Sequence, residues 1–279
     1  MKVAFWSNAN ELCSVSANLA AVSVASAIRY PYSIITMENR LSAHNLGRAY
    51  NGGTRAGILD EVGTNYYDGS GMEGLLRKIY RGDVRSIVLR SYLKEIIYKH
   101  LYYIPQSRML LSEIFDYELD HCMEPLFHMI EENAELCFID TESNNNLSTK
   151  LILNEADLIV VNLCQKSSVL DDFFLHYSSL LSKSIFIISN YNTHSIYTIK
   201  QIAKLYQIPP ENMIPIPVNE RYRDAYLGGR VYEFISRNIN CSKDNPNFYF
   251  IHSIKKASQL IIKRIEQLTK LGEAHLCRR

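Results

Sequence analysis

The chain has 279 residues, 47% hydrophobic and 21% charged, with 30 Lys and Arg against 29 Asp and Glu and a formal net charge of +1. This is enough apolar material for one substantial core, and the near-neutral balance lacks the clustered basic face that tracks phosphate backbones, so no nucleic-acid partner is expected. No apolar run approaches the roughly 20 residues of a membrane span, and the apolar start is too short for a signal peptide. The six cysteines, at 13, 122, 137, 164, 241 and 277, form no C-x-x-C pair; a cytoplasmic protein with buried thiols is the expectation.

Lys2–Trp6 reads as a buried strand, Ser7–Ser14 as a turn, and Ser16–Arg29, rich in Ala, Val and Ser, as a helix. A strand, a loop and a helix N-terminus in that order normally hold a nucleotide, because backbone N–H groups and the helix dipole converge on phosphate. The usual parts are missing here: the loop carries Asn8, Asn10, Glu11, Leu12, Cys13 and Ser14, the first glycine is Gly47, and no lysine lies between Lys2 and Lys78. Glycine would supply φ > 0 and close backbone approach, and lysine the charge on the terminal phosphates.

Further strands are expected at Ser33–Met37, Leu101–Ile104, Leu136–Asp140, Leu158–Leu163, Ile185–Ser189 and Met213–Pro217. Helical patterns fill the gaps at Met72–Tyr80, Arg85–Lys99, Glu113–Glu132, Asn146–Asn154, Val169–Leu181, Thr198–Tyr206, Arg221–Gly228 and Tyr232–Arg237, and Asn51–Gly71 reads as a mobile loop. Continuous apolar runs alternating with helices specify an α/β fold in three layers, with a twisted, mainly parallel sheet of about seven strands. One domain over 1–279 is expected, with about 239–279 forming a loop and a helix on its flank. That helix, Phe248–Leu271, lines up Ile251, Ile254, Leu260, Ile261, Ile265 and Leu268, with Lys255, Lys256, Lys263 and Arg264 elsewhere. Packing on the sheet is its first reading, and peripheral contact with an anionic membrane the second.

Asp140 ends an apolar strand, which puts a carboxylate at the sheet edge where nucleotide-linked magnesium sits in phosphate-loop enzymes; such an Asp also caps loops. Glu11 and Glu38 read as surface acids rather than an acid–base pair. His121 and His128, seven residues apart around Cys122, have no third ligand at metal-site spacing. Glu113, Asp116, Glu118 and Asp120 read as a solvated helix face. Tyr66, Tyr67, Tyr80, Tyr92, Tyr98, Tyr102 and Tyr103 suit core and rim positions, with a protein-binding surface as the alternative.

From Phe138-Ile139-Asp140-Thr141 through Glu142–Asn146 to Ala156-Asp157-Leu158, the chain resembles the switch II region of the ParA/MinD family of partition and positioning ATPases. Asn18-Leu19-Ala20 stands where the family's Walker A helix carries Asn-Leu-Ala, and Glu38 stands at its acidic switch I position. Tyr103-Ile104-Pro105 is similar to the family's Leu-Pro strand. Ser189-Asn190-Tyr191-Asn192 is similar to its adenine-contacting element, and Ile216-Pro217-Val218-Asn219 to the loop over the base. Asn190–Asn192, Arg223 and Gly228–Phe234 look most like the TadZ/CpaE branch, which localises Tad pilus and secretion machinery.

The resemblance implies ATP and magnesium as ligands, with Asn8, Asn10, Glu11, Leu12, Cys13, Ser14, Glu38, Asp140, Asn190, Asn192, Pro217 and Asn219 at nucleotide-contacting positions. Asp140 would be the magnesium ligand and the one catalytic candidate. The family's glycine and lysines fall on Ser7, Asn8, Glu11 and Leu12, and its magnesium-binding Ser/Thr on or beside Cys13 and Ser14. These departures imply a binding scaffold with weakened or lost ATP binding, with an active ATPase of partition or septum-site placement as the alternative. The resemblance also implies protein partners, pilus or secretion machinery among them, recruitment to the inner face of a membrane or to a cell pole, and a homodimer, which without the family's lysine would be built from side chains.

Overall fold

The computed structural model describes residues 1–9, 12–39, 45–50, 71–106 and 112–276. Asn10, Glu11, Tyr66, Tyr67 and the expected loop over 51–70 lie outside the described residues. Its strands β1 (Lys2–Trp6), β2 (Ile34–Glu38), β3 (Lys94–Ile97), β4 (Leu101–Tyr103), β5 (Leu136–Asp140), β6 (Leu158–Cys164), β7 (Ser184–Tyr191) and β8 (Met213–Pro217) form one sheet in the order β3-β4-β2-β5-β1-β6-β7-β8. Every neighbouring pair is parallel except β3 with β4.

Both faces of the sheet are covered, and alternate residues of each interior strand feed two separate cores. Ala4 and Trp6 of β1 pack into one with Ile139, Phe173 and Phe186; Val3 and Phe5 pack into the other with Phe138 and Val160. The first core is roofed by α3 (Gly71–Tyr80), α4 (Ser86–Arg90), α5 (Ser112–Glu131), α6 (Leu147–Glu155), α7 (Ser167–His176) and α8 (Ile199–Tyr206). The second is roofed by α1 (Val15–Arg29), α2 (Leu46–Tyr50), α9 (Glu220–Leu227), α10 (Val231–Asn238) and α11 (Phe248–Leu276).

Helix α1 is buried from Asn18 through Ala27, so its polar side chains need partners inside the protein. Ser23 Oγ bonds Ala20 O at 3.0 Å and the Tyr50 hydroxyl at 2.8 Å, and Ser26 Oγ meets Ser258 Oγ of α11 at 2.9 Å. Small Ala and Ser side chains let α1 pass between the sheet and α11. Gly71, with φ +74°, opens α3, and Met72 N donates to Pro105 O at 2.7 Å. A Cβ at Gly71 would lie 2.6 Å from that carbonyl oxygen, so only glycine fits.

The sheet has eight strands rather than about seven because Arg85–Lys99 is not one helix. It is the short α4 followed by β3, which returns antiparallel on β4 through a turn with Lys99 at φ 62°. The apolar residues Ile96 and Ile97 suit either state, and only pairing with β4 selects the strand. Val169–Leu181 also divides: α7 ends at His176, and a 3-10 turn, Ser178–Lys183, leads into β7.

The C-terminal helix α11 keeps its apolar stripe inside. Ile251, Ile254, Ile261 and Ile265 are all buried in the core shared with α1 and β8, and Arg29 Nη1 donates to Lys255 O at 2.7 Å. The stripe is therefore unavailable to a membrane as far as Ile265; Leu268 and Leu271 beyond it are exposed. Among the described residues no helix is long and apolar enough to cross a membrane. Truncating Ile254, fully buried, leaves a cavity that one α11 residue cannot close. Ile254→Ala is expected to cost about 2–5 kcal/mol, measured as a lower urea midpoint with an unchanged m-value.

Candidate functional site

The chain leaves β1 toward β2 on one side of the sheet and leaves β6 toward β7 on the other, so β1 and β6, which pair directly, bound a switch point in strand order. Ligand crevices in such folds open at the carboxyl ends of the strands flanking this point. Ser7 to Ala9 and Leu12 to Ser14 sit there. Ser14 adopts the left-handed conformation, φ 50° and ψ 39°, which a side chain with a Cβ occupies at a cost of about 1 kcal/mol.

The described part of this loop is fastened by hydrogen bonds. Asn8 Nδ2 donates to Val169 O at 2.9 Å and to Asp172 Oδ2 at 2.8 Å, tying the end of β1 to α7. Ala9 N donates to Ser7 Oγ at 3.1 Å. On the opposite side Asn190 Nδ2 donates to Leu12 O at 3.3 Å and Ser14 Oγ at 3.4 Å. Asn190 is itself left-handed, φ 52°, a conformation asparagine tolerates better than most residues. The structure thus brings Leu12, Ser14 and Asn190 together.

Beneath the loop lies a buried polar knot. Asn18 Nδ2 donates to Asn162 Oδ1 and to Ser189 Oγ, both at 2.9 Å, with Cys13 O at 3.5 Å, while Asn162 Nδ2 donates to Val160 O at 3.0 Å. All three of Asn18, Asn162 and Ser189 are buried. Asn162 is absent from the sequence-derived site, and Ser189 enters the sequence reading only as the first residue of the Ser189–Asn192 element, with no contact of its own assigned. Their one signal is a polar residue inside an apolar strand, which demands a partner.

Glu38 and Asp140 form a second group. The β2–β5 register sets them side by side at the carboxyl ends of their strands, and both have zero exposure. Glu38 is therefore not a surface acid: α2 and β4 cover the end of β2, and its Oε1 accepts from Leu46 N at 2.9 Å and from the Tyr103 hydroxyl at 2.8 Å. Burial first, and then the Glu38 charge, hold the Tyr103 phenol well above its ordinary pKa. Asn39 links this group to the loop after β5: its Oδ1 accepts from Glu142 N at 2.7 Å, and its Nδ2 donates to Ser148 Oγ at 3.1 Å and Thr149 Oγ1 at 2.9 Å.

The other expected site residues do local structural work. Asn192 Oδ1 accepts from His194 N at 2.9 Å in a turn, Pro217 ends β8 opposite Tyr191, and Asn219 Oδ1 caps α9 through Tyr222 N at 2.8 Å. Asp116 departs from the reading of a purely solvated acidic face on α5, because its carboxylate accepts from Leu147 N at 3.2 Å and Ser148 N at 3.1 Å, capping α6 beside Asn146. Among the described residues no group of three or more His, Cys, Asp or Glu could hold a metal ion.

The described residues of this loop bring no cation, and Asn8 places its amide against the Asp172 carboxylate. The Asn18 knot carries the stability of this edge. Asn18→Leu would leave Asn162 Oδ1 and the Ser189 hydroxyl without their shared donor in the core. It is expected to cost about 1–3 kcal/mol in urea denaturation, and Asn8→Ala, at a half-buried site, less.

No protein-family model matches the chain, and no curated protein matches it. Solved structures do. A ParA family ATPase from Chlorobium tepidum superposes with TM-score 0.69 at 13% identity, covering 92% of this chain and 98% of that one. The septum site-determining protein MinD from Pyrococcus horikoshii, complexed with Mg-ADP, gives 0.66 at 13%, covering 93% and 95%. A plasmid partition protein from Borrelia burgdorferi bound to AMPPNP gives 0.61 at 13%, covering 94% and 98%. At such identities the likeness is one of fold, and this chain has the three-layer, mainly parallel fold of the ParA and MinD ATPases over nearly its whole length.

Proposed function

We propose that this protein is a positioning or localisation protein built on the ParA/MinD fold, closest to the TadZ/CpaE branch of Tad pilus or secretion assembly. It acts as a protein-binding scaffold whose nucleotide binding is weakened or lost. The observation that carries this reading is the loop between β1 and α1, where no glycine or lysine stands and where Asn8 is bonded to Asp172 and Asn190 to Leu12 and Ser14. Losing one charge-assisted contact from a lysine costs about 1.5–3 kcal/mol, roughly ten- to a hundredfold in affinity, before the acidic neighbour is counted. Exposed Tyr80 and Tyr98 suit a protein partner, because tyrosine offers an apolar body with a polar tip. Such a module would work in the cytoplasm, brought by its partner to the inner face of the membrane or to a cell pole.

A working ATPase of partition or septum-site placement is the second reading. It draws on Asp140, buried at the carboxyl end of β5 next to β1, and on nucleotides named in the structures of similar fold. Calorimetric titration of the full chain with ATP and magnesium separates the two. No saturable heat is expected up to about 1 mM nucleotide, and a micromolar dissociation constant would overturn the scaffold reading. A dimer of the scaffold must form through side chains, because the loop offers no lysine to reach across an ATP-bridged interface. Light scattering is therefore expected to give one mass with and without ATP; a monomer that pairs only when ATP is added would contradict it.

A further inference from the structure

A cleft of about 490 Å³ opens at the amino ends of β6 and β7, at the sheet edge opposite the loop before α1. Asp157 and Leu158 form one wall, the end of the Ser178–Lys183 turn with Ser184 a second, and the last turns of α11, from Arg264 to Leu271, a third. Leu158, Leu181, Leu268 and Leu271 give it an apolar lining. Leu268 and Leu271 are 37% and 59% exposed, although Ile261 and Ile265 just before them on α11 are buried.

Three cations stand around the leucines. Lys183 Nζ donates to Asn154 O at 2.7 Å and to Ala156 O at 3.2 Å, which holds its ammonium at the cleft wall. Arg264 Nη2 donates to Asn212 Oδ1 at 2.7 Å, and Lys270 lies six residues further along α11. Among the described residues none of these three is in an ion pair. Asp157, the acid of the wall, has its Oδ2 taken by Lys2 N at 2.6 Å. Three positive charges therefore face one negative. Burial lowers the Lys183 pKa against the opposing charges of Asp157 and Glu155, so its ammonium is short of counter-charge.

We propose that this cleft binds a single-chain amphiphilic anion, with a carboxylate or phosphate head on an alkyl tail. The head meets Lys183, Arg264 and Lys270, and the tail covers the four leucines. Small-molecule sites of this size combine apolar walls with a few charged groups that fix orientation. A bare phosphate would leave the leucines in water. An uncharged hydrocarbon would take water from three cations and return no opposite charge. The cleft is at the far edge of the sheet from the loop before α1, so the proposal does not depend on whether nucleotide binds or on the scaffold reading.

The test is calorimetric titration of the full chain with octyl phosphate and with decanoate, both below micelle formation and at constant ionic strength. Octyl glucoside supplies the tail without the charge, and inorganic phosphate the charge without the tail. One saturable site is expected for the two amphiphilic anions and none for the two controls. Lys270→Glu and Leu271→Asp, both at the open rim, are each expected to weaken binding by about tenfold or more with an unchanged urea midpoint, and Lys256→Glu, elsewhere on α11, to leave it unchanged. Absence of saturable heat with both amphiphilic anions would overturn the proposal. So would equal binding of octyl glucoside or inorganic phosphate, or an equal loss with Lys256→Glu. Binding to phosphatidylglycerol vesicles without binding of the monomeric amphiphiles would also overturn it, in favour of a bilayer surface.

Discussion

The buried amide of Asn18 is the constraint on which the working edge of this protein depends. A side chain with two donors and an acceptor, placed where water cannot reach, must find partners or destabilise the core. Here the donors are met by Asn162 of β6 and Ser189 of β7, so one side chain sets the first turn of α1 against two strands. Asn162 returns its own amide to Val160 O within β6, which leaves this knot closed on itself. The position of Ser14, Leu12 and Asn190 above it follows from that anchorage.

Two cores on opposite faces of one sheet explain why the strand ends are so well defined. Strand β1 supplies Ala4 and Trp6 to one side and Val3 and Phe5 to the other, so a one-residue slip would exchange both sets at once. The same register that seats these side chains also sets Glu38 beside Asp140, two carboxylates that no local sequence signal pairs. Tyr103 and Leu46 reach Glu38 from β4 and α2, which shows how far the chemistry of one acid depends on elements remote in sequence.

The loop between β1 and α1 has the position of a phosphate cradle and a different composition. Among its described residues, Asn8 bonds α7, and Leu12 O and Ser14 Oγ accept from Asn190. One architecture can carry different loops, because the strands fix where side chains stand and not which ones they are.

The α/β class, the parallel strands β1, β2 and β4 to β8, and most of the helices between them were legible in the residues, because runs covered on both faces are apolar throughout and need no tertiary information to be recognised. The missing glycine and lysine were equally legible, since absence of a residue type is a property of the chain. Tertiary structure alone decided the rest. Ile96 and Ile97 became a strand only by pairing with β4, and the stripe of α11 turned inward because α1 and β8 offered an apolar wall. Glu38, read as a surface acid, is buried because two distant elements close over it, and Asn162 with Ser189 joined the site through a hydrogen bond spanning 144 and 171 residues of chain. Periodicity encodes which face of an element is apolar; what that face meets is a matter of packing, and here packing chose the partners of Asn18, Glu38 Oε1 and Asn39.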